Sequence, residues 1–144
     1  MKISPFTYHR PDSLEQACAL LAEHGDESKV LAGGQSLLPI MALRLGRPEH
    51  VVDIGAIPGL DAINVGGGSG DKPTVSIGAL VRHAQAERSD ELAELAPIVH
   101  QAMPHISHRA IRTRGTVCGS IAHADPAAEM PAVCVAADAT MTAT

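Results

Sequence analysis

The sequence predicts an α+β fold, in which a small βαβ subdomain precedes the start of a larger mixed α/β subdomain. Three observations predict this class. Short apolar runs at residues 28–33 and 48–55 are typical of buried strands, and helical periodicity fills residues 13–25, 36–46 and 81–103. Two β-type runs also flank a glycine run near residue 67. The 144 residues, 45% of them hydrophobic, suffice for a sizeable core.

The first helix has clear boundaries in the sequence. Ser13 is a candidate N-cap, and Gln16 stands three residues later at the capping-box spacing. Apolar side chains such as Ala17 and Leu21 fall on one face, and Gly25 stands where a left-handed C-cap is expected. We therefore expect a helix that begins after Ser13 and ends at Gly25.

A βαβ unit follows this helix. The stretches "SKVLAG", "SLLPIMALRLG" and "PEHVVDIG" predict strand, helix and strand, with Ser36 as the candidate cap of the helix. Strands joined in this way pair in parallel through a right-handed crossover. Beyond them, the glycine run at residues 66–70 predicts a flexible hairpin turn. It lacks the Lys-Ser/Thr ending of a phosphate loop and leads into a strand.

The second part of the chain is predicted to begin a larger, β-rich subdomain that mixes helices and strands. Helical periodicity runs from Val81 to about Met103 with breaks near Ser89 and Pro97, and an irregular arginine-rich segment then leads into a Gly-Ser loop. A helix follows, with Asp125 as N-cap and Pro126 as its first residue. The final "ATMTAT" has strand character without a turn signal, which predicts a C-terminally truncated chain. We expect subdomains at 1–55 and 56–144, the second one incomplete.

Composition excludes several function classes. The net charge of −5 and the absence of a basic stripe disfavour nonspecific nucleic-acid binding, and aromatic residues, at 1%, offer few stacking platforms. The three cysteines form no CxxC pair, which favours a reducing cytoplasm over a disulfide framework. No stretch reaches the roughly 18 apolar residues of a membrane span, and the N-terminus has no signal-like apolar region.

Two segments, "VLAGGQS" and "RGTVCGS", share one pattern. In each, an extended stretch meets glycine and then a serine that begins a turn or helix. Glycine permits positive φ and lacks the Cβ that keeps a ligand at a distance. Successive backbone N–H groups beside a hydroxyl suit phosphate oxygens. One such segment is most simply a tight strand-to-helix turn, whereas two in a small domain indicate two anchoring points on a diphosphate.

These segments, with their surroundings, carry a resemblance to a known family. "FTYHRPDSLEQACALLAEHGDESKVLAGGQSLLPIMALRLGRPEHVVDI" together with "HISHRAIRTRGTVCGSIAHADPAAEMPAV" resembles the FAD-binding medium subunit of the molybdenum hydroxylases. That group includes carbon monoxide dehydrogenase and xanthine dehydrogenase, and it implies the vanillyl-alcohol-oxidase (PCMH) type of FAD-binding fold. The resemblance covers nearly the whole chain, and the family's chain continues well beyond Thr144.

The resemblance implies a set of FAD-binding residues. It places the FAD pyrophosphate on backbone amides of a first loop and of a second loop on the other side of the diphosphate. Two carboxylates are placed at the flavin–ribityl end. The first loop is Ala32, Gly33, Gly34, Gln35 and Ser36; the second is Thr116, Val117, Cys118, Gly119 and Ser120; the carboxylates are Asp125 and Glu129.

The resemblance also implies a function. Such a subunit takes electrons from a [2Fe-2S] small subunit, passes them through FAD to an external acceptor, and assembles with a large subunit that carries the molybdenum cofactor and selects the substrate. No acid, base or nucleophile is required of this chain. Two alternatives stay open: a truncated module that packs with these partners without FAD, and a structural or nucleotide-phosphate-binding domain whose glycine segments are turns.

The chain departs from the family pattern at several positions. Cys118 stands where glycine is usual, and we expect its Cβ to crowd the ligand or to strain the backbone by about 1–3 kcal/mol. Arg109 and Thr113 also replace an expected Pro and Asn.

Two further groups of side chains have simpler interpretations than ligand binding. The histidines have no recognised metal-ligand spacing and are expected at helix ends or on the surface. The arginines are expected to be solvated or to contact a neighbouring subunit. The histidines are His100, His105 and His108, and the arginines are Arg109, Arg112 and Arg114.

Overall fold

The computed structural model describes residues 2–67 and 73–144 of the chain. Helices and short strands are mixed throughout, as the predicted α+β class requires. The chain divides into two compact units, one ending at Pro58 and one spanning Gly59–Ala143. Within the described ranges, no helix combines the length and the apolar character that crossing a bilayer requires.

The first unit is a three-stranded parallel sheet with two helices. Its elements in chain order are β1 (Thr7–His9), α1 (Leu14–His24), β2 (Ser28–Leu31), α2 (Leu37–Ala42) and β3 (His50–Asp53). The strand order is β1-β3-β2, and both pairings are parallel. The expected parallel pairing of the strands flanking α2 is therefore confirmed. Strand β1, which the sequence pattern did not predict, pairs with the other edge of β3.

Strand β3 is central because both of its faces are covered. Val51 and Val52 point to opposite faces, yet both are at most 1% exposed. Continuous apolar burial of this kind is typical of parallel strands, and each fully buried valine contributes roughly 1.5–3 kcal/mol. Strand β1 has only three residues, and Thr7 and Tyr8 are both exposed. It therefore lacks the alternation of buried and exposed residues by which a strand is predicted from sequence.

Helix α1 has the predicted ends. The Ser13 hydroxyl accepts the N–H of Gln16 at 3.2 Å, and Ala17 is buried. Gly25 ends the helix and donates its N–H to the Leu21 carbonyl; its φ is +49°, but its ψ of −131° lies outside the left-handed helical region expected for the cap. The capping box is incomplete, because the Gln16 side chain accepts the N–H of Asp12 instead of that of Ser13.

In its described residues, the second unit combines a two-stranded hairpin with six short α-helices. Its elements are β4 (Ile63–Gly67), β5 (Pro73–Ile77), α3 (His83–Ala86), α4 (Asp90–Leu95), α5 (Pro97–Ala102), α6 (Arg109–Arg112), α7 (Val117–His123) and α8 (Glu129–Ala136). Strands β4 and β5 pair antiparallel. The predicted helix breaks are confirmed, since Ser89 caps α4 and Pro97 begins α5. The core of this unit contains Val81, Ala86, Leu92, Val99, Met103, Ile106, Val117, Met130 and Cys134.

Three predictions for this unit differ from the structure. Gly66 and Gly67 lie in strand β4 and pair with Thr74 and Pro73, while the remainder of the predicted turn, residues 68–70, lies outside the described residues. The arginine-rich segment is not wholly irregular, because it contains α6. The "ATMTAT" terminus forms no strand in the described structure; its residues are exposed and pair with no other strand.

Candidate functional site

The first candidate segment, Ala32–Ser36, joins the carboxyl end of β2 to the start of α2. All five of its residues are half-buried, so a ligand can reach the segment from solvent. Its carbonyls are used locally: Gly34 accepts the N–H of Leu38 at 3.1 Å, and Gly33 accepts the Gln35 side-chain amide at 3.1 Å. The carboxyl edge of a parallel sheet is also where ligands commonly bind in α/β proteins.

The N–H groups of this segment have no hydrogen-bond acceptor within the part of the chain that the structure describes. Not one of the five consecutive backbone N–H groups of residues 32–36 donates a hydrogen bond to another described residue. Most backbone donors in folded proteins have a partner, so a half-buried row of five without one is unusual. Successive N–H groups of this kind form an anion-binding concavity.

Gly34 is required by the fold itself. Its φ is +71°, a region that residues with a Cβ rarely adopt. A Cβ built there would lie 3.0 Å from Leu38 Cδ1 and 3.2 Å from Leu31 Cδ1. The side of Gly34 that a Cβ would occupy therefore faces packed leucines, and the glycine is explained without a ligand.

Ser36 occupies the N-cap position of α2 but does not cap it, contrary to expectation. Its φ of −104° and ψ of −49° are helical, whereas a capping residue normally has extended dihedrals that bring its hydroxyl to the N–H groups ahead. The hydroxyl makes no capping hydrogen bond. It is therefore an additional group that a ligand beside this segment can use.

The second candidate segment, Thr116–Ser120, is not a loop as expected but the capped first turn of α7. Thr116 is the N-cap, and its Oγ1 accepts the N–H of Gly119 at 3.1 Å. The Val117 N–H bonds to the carbonyl of Val81, and the Ser120 N–H bonds to that of Thr116. Thr116 and Val117 are also buried. Among the described residues, the Cys118 N–H and the Ser120 hydroxyl have no partner.

The expected strain at Cys118 is wrong. Cys118 lies within helix α7 and has no positive φ, so its Cβ costs nothing in backbone conformation. Its thiol points toward the carbonyls of Ile77 and Gly78, each 3.5 Å from Sγ. Burial raises the pKa of this thiol, and neighbouring Cys134 raises it further. The side chain is thus a neutral packing group turned toward the end of β5.

Asp125 does not cap the last helix, because α8 begins four residues later at Glu129 with Ala128 as its N-cap. Asp125 instead closes a turn: its Oδ1 accepts the N–H of Ala127 at 2.9 Å, and its carbonyl accepts that of Ala128. Pro126 therefore sits in this turn and not in the helix. Glu129 is the first residue of α8, where its charge complements the helix dipole. Both carboxylates are exposed.

Arg112 is not a free cation, contrary to expectation. Its Nε lies 2.9 Å from Glu87 Oε2, and the guanidinium also donates to the carbonyls of Pro104, Ile106 and Ser107. These contacts hold the segment before α6 against the end of α3. Arg109 and Arg114 are exposed.

The histidines that the sequence singled out are dispersed. His100 lies in α5 and contacts the carbonyl of Glu87 through Nε2, whereas His105 and His108 are exposed near helix ends.

The sequence did not predict a hydrogen-bonded pair of side chains, Tyr8 and Asp53, that lies beside the first segment. The Tyr8 hydroxyl donates to Asp53 Oδ2, and Asp53 Oδ1 accepts the N–H of Gly55. The sheet register sets Asp53 opposite Leu31, the residue directly before the candidate segment. The hydrogen bond to Asp53 raises the pKa of Tyr8. The contact between Tyr8 and Asp53 could have been predicted only by recognising that β1 pairs with β3.

Comparisons with known proteins identify the family to which this chain is related. Residues 4–144 match the family described as "FAD binding domain in molybdopterin dehydrogenase". The 6-hydroxypseudooxynicotine dehydrogenase complex subunit alpha of Paenarthrobacter nicotinovorans is 47% identical over 99% of this chain and 47% of its own length. Caffeine dehydrogenase subunit beta of a Pseudomonas species is 41% identical over 98% and 46%.

A solved structure agrees with these relatives. Carbon monoxide dehydrogenase of Hydrogenophaga pseudoflava matches with a TM-score of 0.87 and 41% identity, over 94% of this chain and 46% of that one. The chain thus spans about half the length of the curated relatives it matches. Because the family match extends over nearly the whole sequence, the chain belongs to the family of FAD-binding domains found in molybdopterin dehydrogenases.

Proposed function

We propose that this chain is the diphosphate-binding part of a flavoprotein oxidoreductase subunit, which takes electrons from iron–sulfur clusters and passes them through FAD to an external acceptor. The observation that carries the proposal is the row of five N–H groups at Ala32–Ser36 that find no acceptor among residues 2–67 and 73–144. In a family whose cofactor is FAD, a diphosphate is the ligand that matches such a row.

The residues fit the cofactor to different degrees. The N–H groups of Ala32–Ser36 and the Ser36 hydroxyl would hold the diphosphate. From the second segment, the Cys118 N–H and the Ser120 hydroxyl are the groups left to contribute, because Thr116 and Val117 are used within the fold.

The remaining candidates act at the other end of the cofactor or on its chemistry. Asp125 and Glu129, both exposed, are proposed for the ribityl end. Bound FAD supplies the redox chemistry, and the protein holds it and tunes its potential.

The proposed partners are a large subunit with the molybdenum cofactor and a small subunit with [2Fe-2S] clusters. Support comes from relatives described as a medium chain or as one subunit of a complex, such as the carbon monoxide dehydrogenase medium chain of Hydrogenophaga pseudoflava. Those relatives are named for different substrates, among them caffeine and carbon monoxide. We therefore infer that substrate choice lies outside this chain.

A matched pair of serines tests the cofactor site. Ser13 and Ser36 both stand at helix N-caps, but only Ser13 makes the capping bond. When FAD binding is measured by equilibrium dialysis, Ser36→Ala is expected to raise the dissociation constant for FAD at least about tenfold. The reason is that a hydrogen bond to a charged group contributes roughly 1.5–3 kcal/mol. The free energy of unfolding of this variant is expected to stay unchanged.

Ser13→Ala is the control. It is expected to lower the free energy of unfolding by about 1 kcal/mol through the lost cap, without weakening FAD binding. Equal FAD affinity in Ser36→Ala and the parent chain would remove Ser36 from the site. A folded parent chain that does not bind FAD would favour the alternative of a module that packs with its partners without the cofactor.

A further inference from the structure

Three histidines from distant parts of the sequence meet on the first unit. His9 ends β1, His24 ends α1 and His50 begins β3. The His24 and His50 rings are stacked with centroids 3.6 Å apart, and the His9 ring lies 5.2 Å from each of them. His9 Nε2 and His50 Nδ1 are 2.9 Å apart, so these two rings share a hydrogen bond.

The sheet register explains the meeting. Thr7 pairs with His50, which sets His9 two residues further along the neighbouring strand and on the same face. Helix α1 packs against β3 and brings its last residue, His24, to that face. No short-range sequence motif predicts the cluster, because the three histidines meet only through the pairing of β1 with β3, and the sequence pattern does not predict β1.

We propose that His9, His24 and His50 form a binding site for a borderline divalent transition metal of the Zn²⁺ class, with solvent in the fourth position. One ring nitrogen from each histidine lies within 4.8 Å of the other two. Tetrahedral Zn²⁺ with bonds of about 2.0–2.1 Å sets its nitrogens roughly 3.3–3.4 Å apart, so small shifts bring them into place. Imidazole suits Zn, Cu and Ni, and three histidines with an open position form a known zinc geometry.

Metal entry requires two local changes. The ion replaces the hydrogen bond between His9 and His50, and one ring of the stacked pair, whose planes lie 8° apart, turns so that its lone pair converges on the ion. Turning is inexpensive, because the second side-chain torsion of histidine has a broad preference.

The cluster is accessible from solvent. All three histidines are half-buried, and His50 lines an open surface depression of about 490 Å³. Acidic Glu49 and basic Arg47 also line this depression.

The experiment is a Zn²⁺ titration of the untagged, FAD-free chain against a chromophoric chelator, and its result is independent of FAD binding. The parent chain is expected to bind one Zn²⁺, and His24→Gln or His9→Gln to weaken binding at least about 100-fold, since supporting groups around metal ligands are alone worth 10–100-fold. His105→Gln, which alters an exposed histidine elsewhere, is expected to change nothing.

Two further measurements keep the outcome decisive. Thermal unfolding without metal shows that each variant is folded. The parent and His105→Gln should gain stability when Zn²⁺ is added, whereas His24→Gln and His9→Gln should not. Co²⁺ bound by these histidines should give tetrahedral ligand-field absorption without a thiolate charge-transfer band. A parent chain that fails to bind stoichiometric Zn²⁺, undiminished affinity in folded His24→Gln, or a thiolate band would overturn the proposal.

Discussion

At the scale of single residues, four hydroxyl side chains stand directly before helices, but only three of them act as caps. Ser13, Ser89 and Thr116 have extended backbones and accept an N–H of the first turn. Ser36 has helical dihedrals and accepts none. The sequence can predict that such a residue stands at a cap position, whereas its dihedrals, and therefore its hydrogen bonds, depend on how the preceding glycine turns the chain.

Arg112 is predicted to stabilise the second unit. Its side chain is 12% exposed and that of Glu87 30%, so the pair lies between a surface pair and a fully buried one. We expect Arg112→Met to lower the free energy of unfolding by about 2–3 kcal/mol, because it leaves Glu87 and three carbonyls without their donor. Urea unfolding measures this. Arg109→Met, at an exposed position, is the control, and an equal effect of both variants would contradict the assignment.

His83 is predicted to make stability depend on pH. It is 4% exposed, and neither ring nitrogen has a hydrogen-bond partner among the described residues. Burial lowers the pKa of its imidazole below the ordinary 6.5, while the Glu129 carboxylate acts in the opposite direction. The unfolded chain therefore binds the proton more readily, and stability is lost as the pH falls below about 6.5.

The variant His83→Leu tests this. Removing two unpartnered nitrogens offsets lost packing, so the free energy of unfolding at pH 7.5 should change by no more than about 1 kcal/mol. Urea unfolding at pH 7.5, 6.5 and 5.5 should show a smaller loss toward acid than in the parent. An identical pH profile in both proteins would show that His83 is protonated equally in the folded and unfolded chains.

At the scale of elements, a helix or strand could be predicted from the sequence when the residues that define it lie within the element itself. Helix α1 was predictable because its cap, its apolar face and its glycine all lie within the element. Strand β1 was not, because a three-residue exposed strand is defined by its partner β3. The start of α8 was misplaced because Asp125 and Pro126 suit a turn as well as a helix start, and the Asp125 side chain accepts the N–H of Ala127 in such a turn.

The turn between β2 and α2 gives a prediction for Gly34. Its φ of +71° and the two leucines within 3.2 Å of a built Cβ mean that Gly34→Ala strains the turn without any ligand. We expect a loss of about 1–3 kcal/mol in the free energy of unfolding of the FAD-free chain. Gly67→Ala, where a built Cβ meets nothing within 4 Å, is the comparison. Equal stability of the two variants would show that the turn relaxes.

At the scale of the whole molecule, the sequence sufficed for the fold class and the family. Two ordered segments separated by a recognisable pattern of elements carried that inference, and the family match over residues 4–144 agrees with it. The site was predictable only in part. Glycine and serine positions mark where donors occur, but which N–H groups stay free depends on acceptors supplied by the fold, such as Val81 for Val117.

The most direct test of the central claim is an amide ¹H–¹⁵N spectrum of the chain titrated with FAD and, separately, with riboflavin, which lacks the diphosphate. If the free N–H groups of the first segment hold the diphosphate, the amide signals of Ala32–Ser36 move with FAD and stay in place with riboflavin. FAD binding that leaves those five signals unmoved, or equal shifts with riboflavin, would contradict the account.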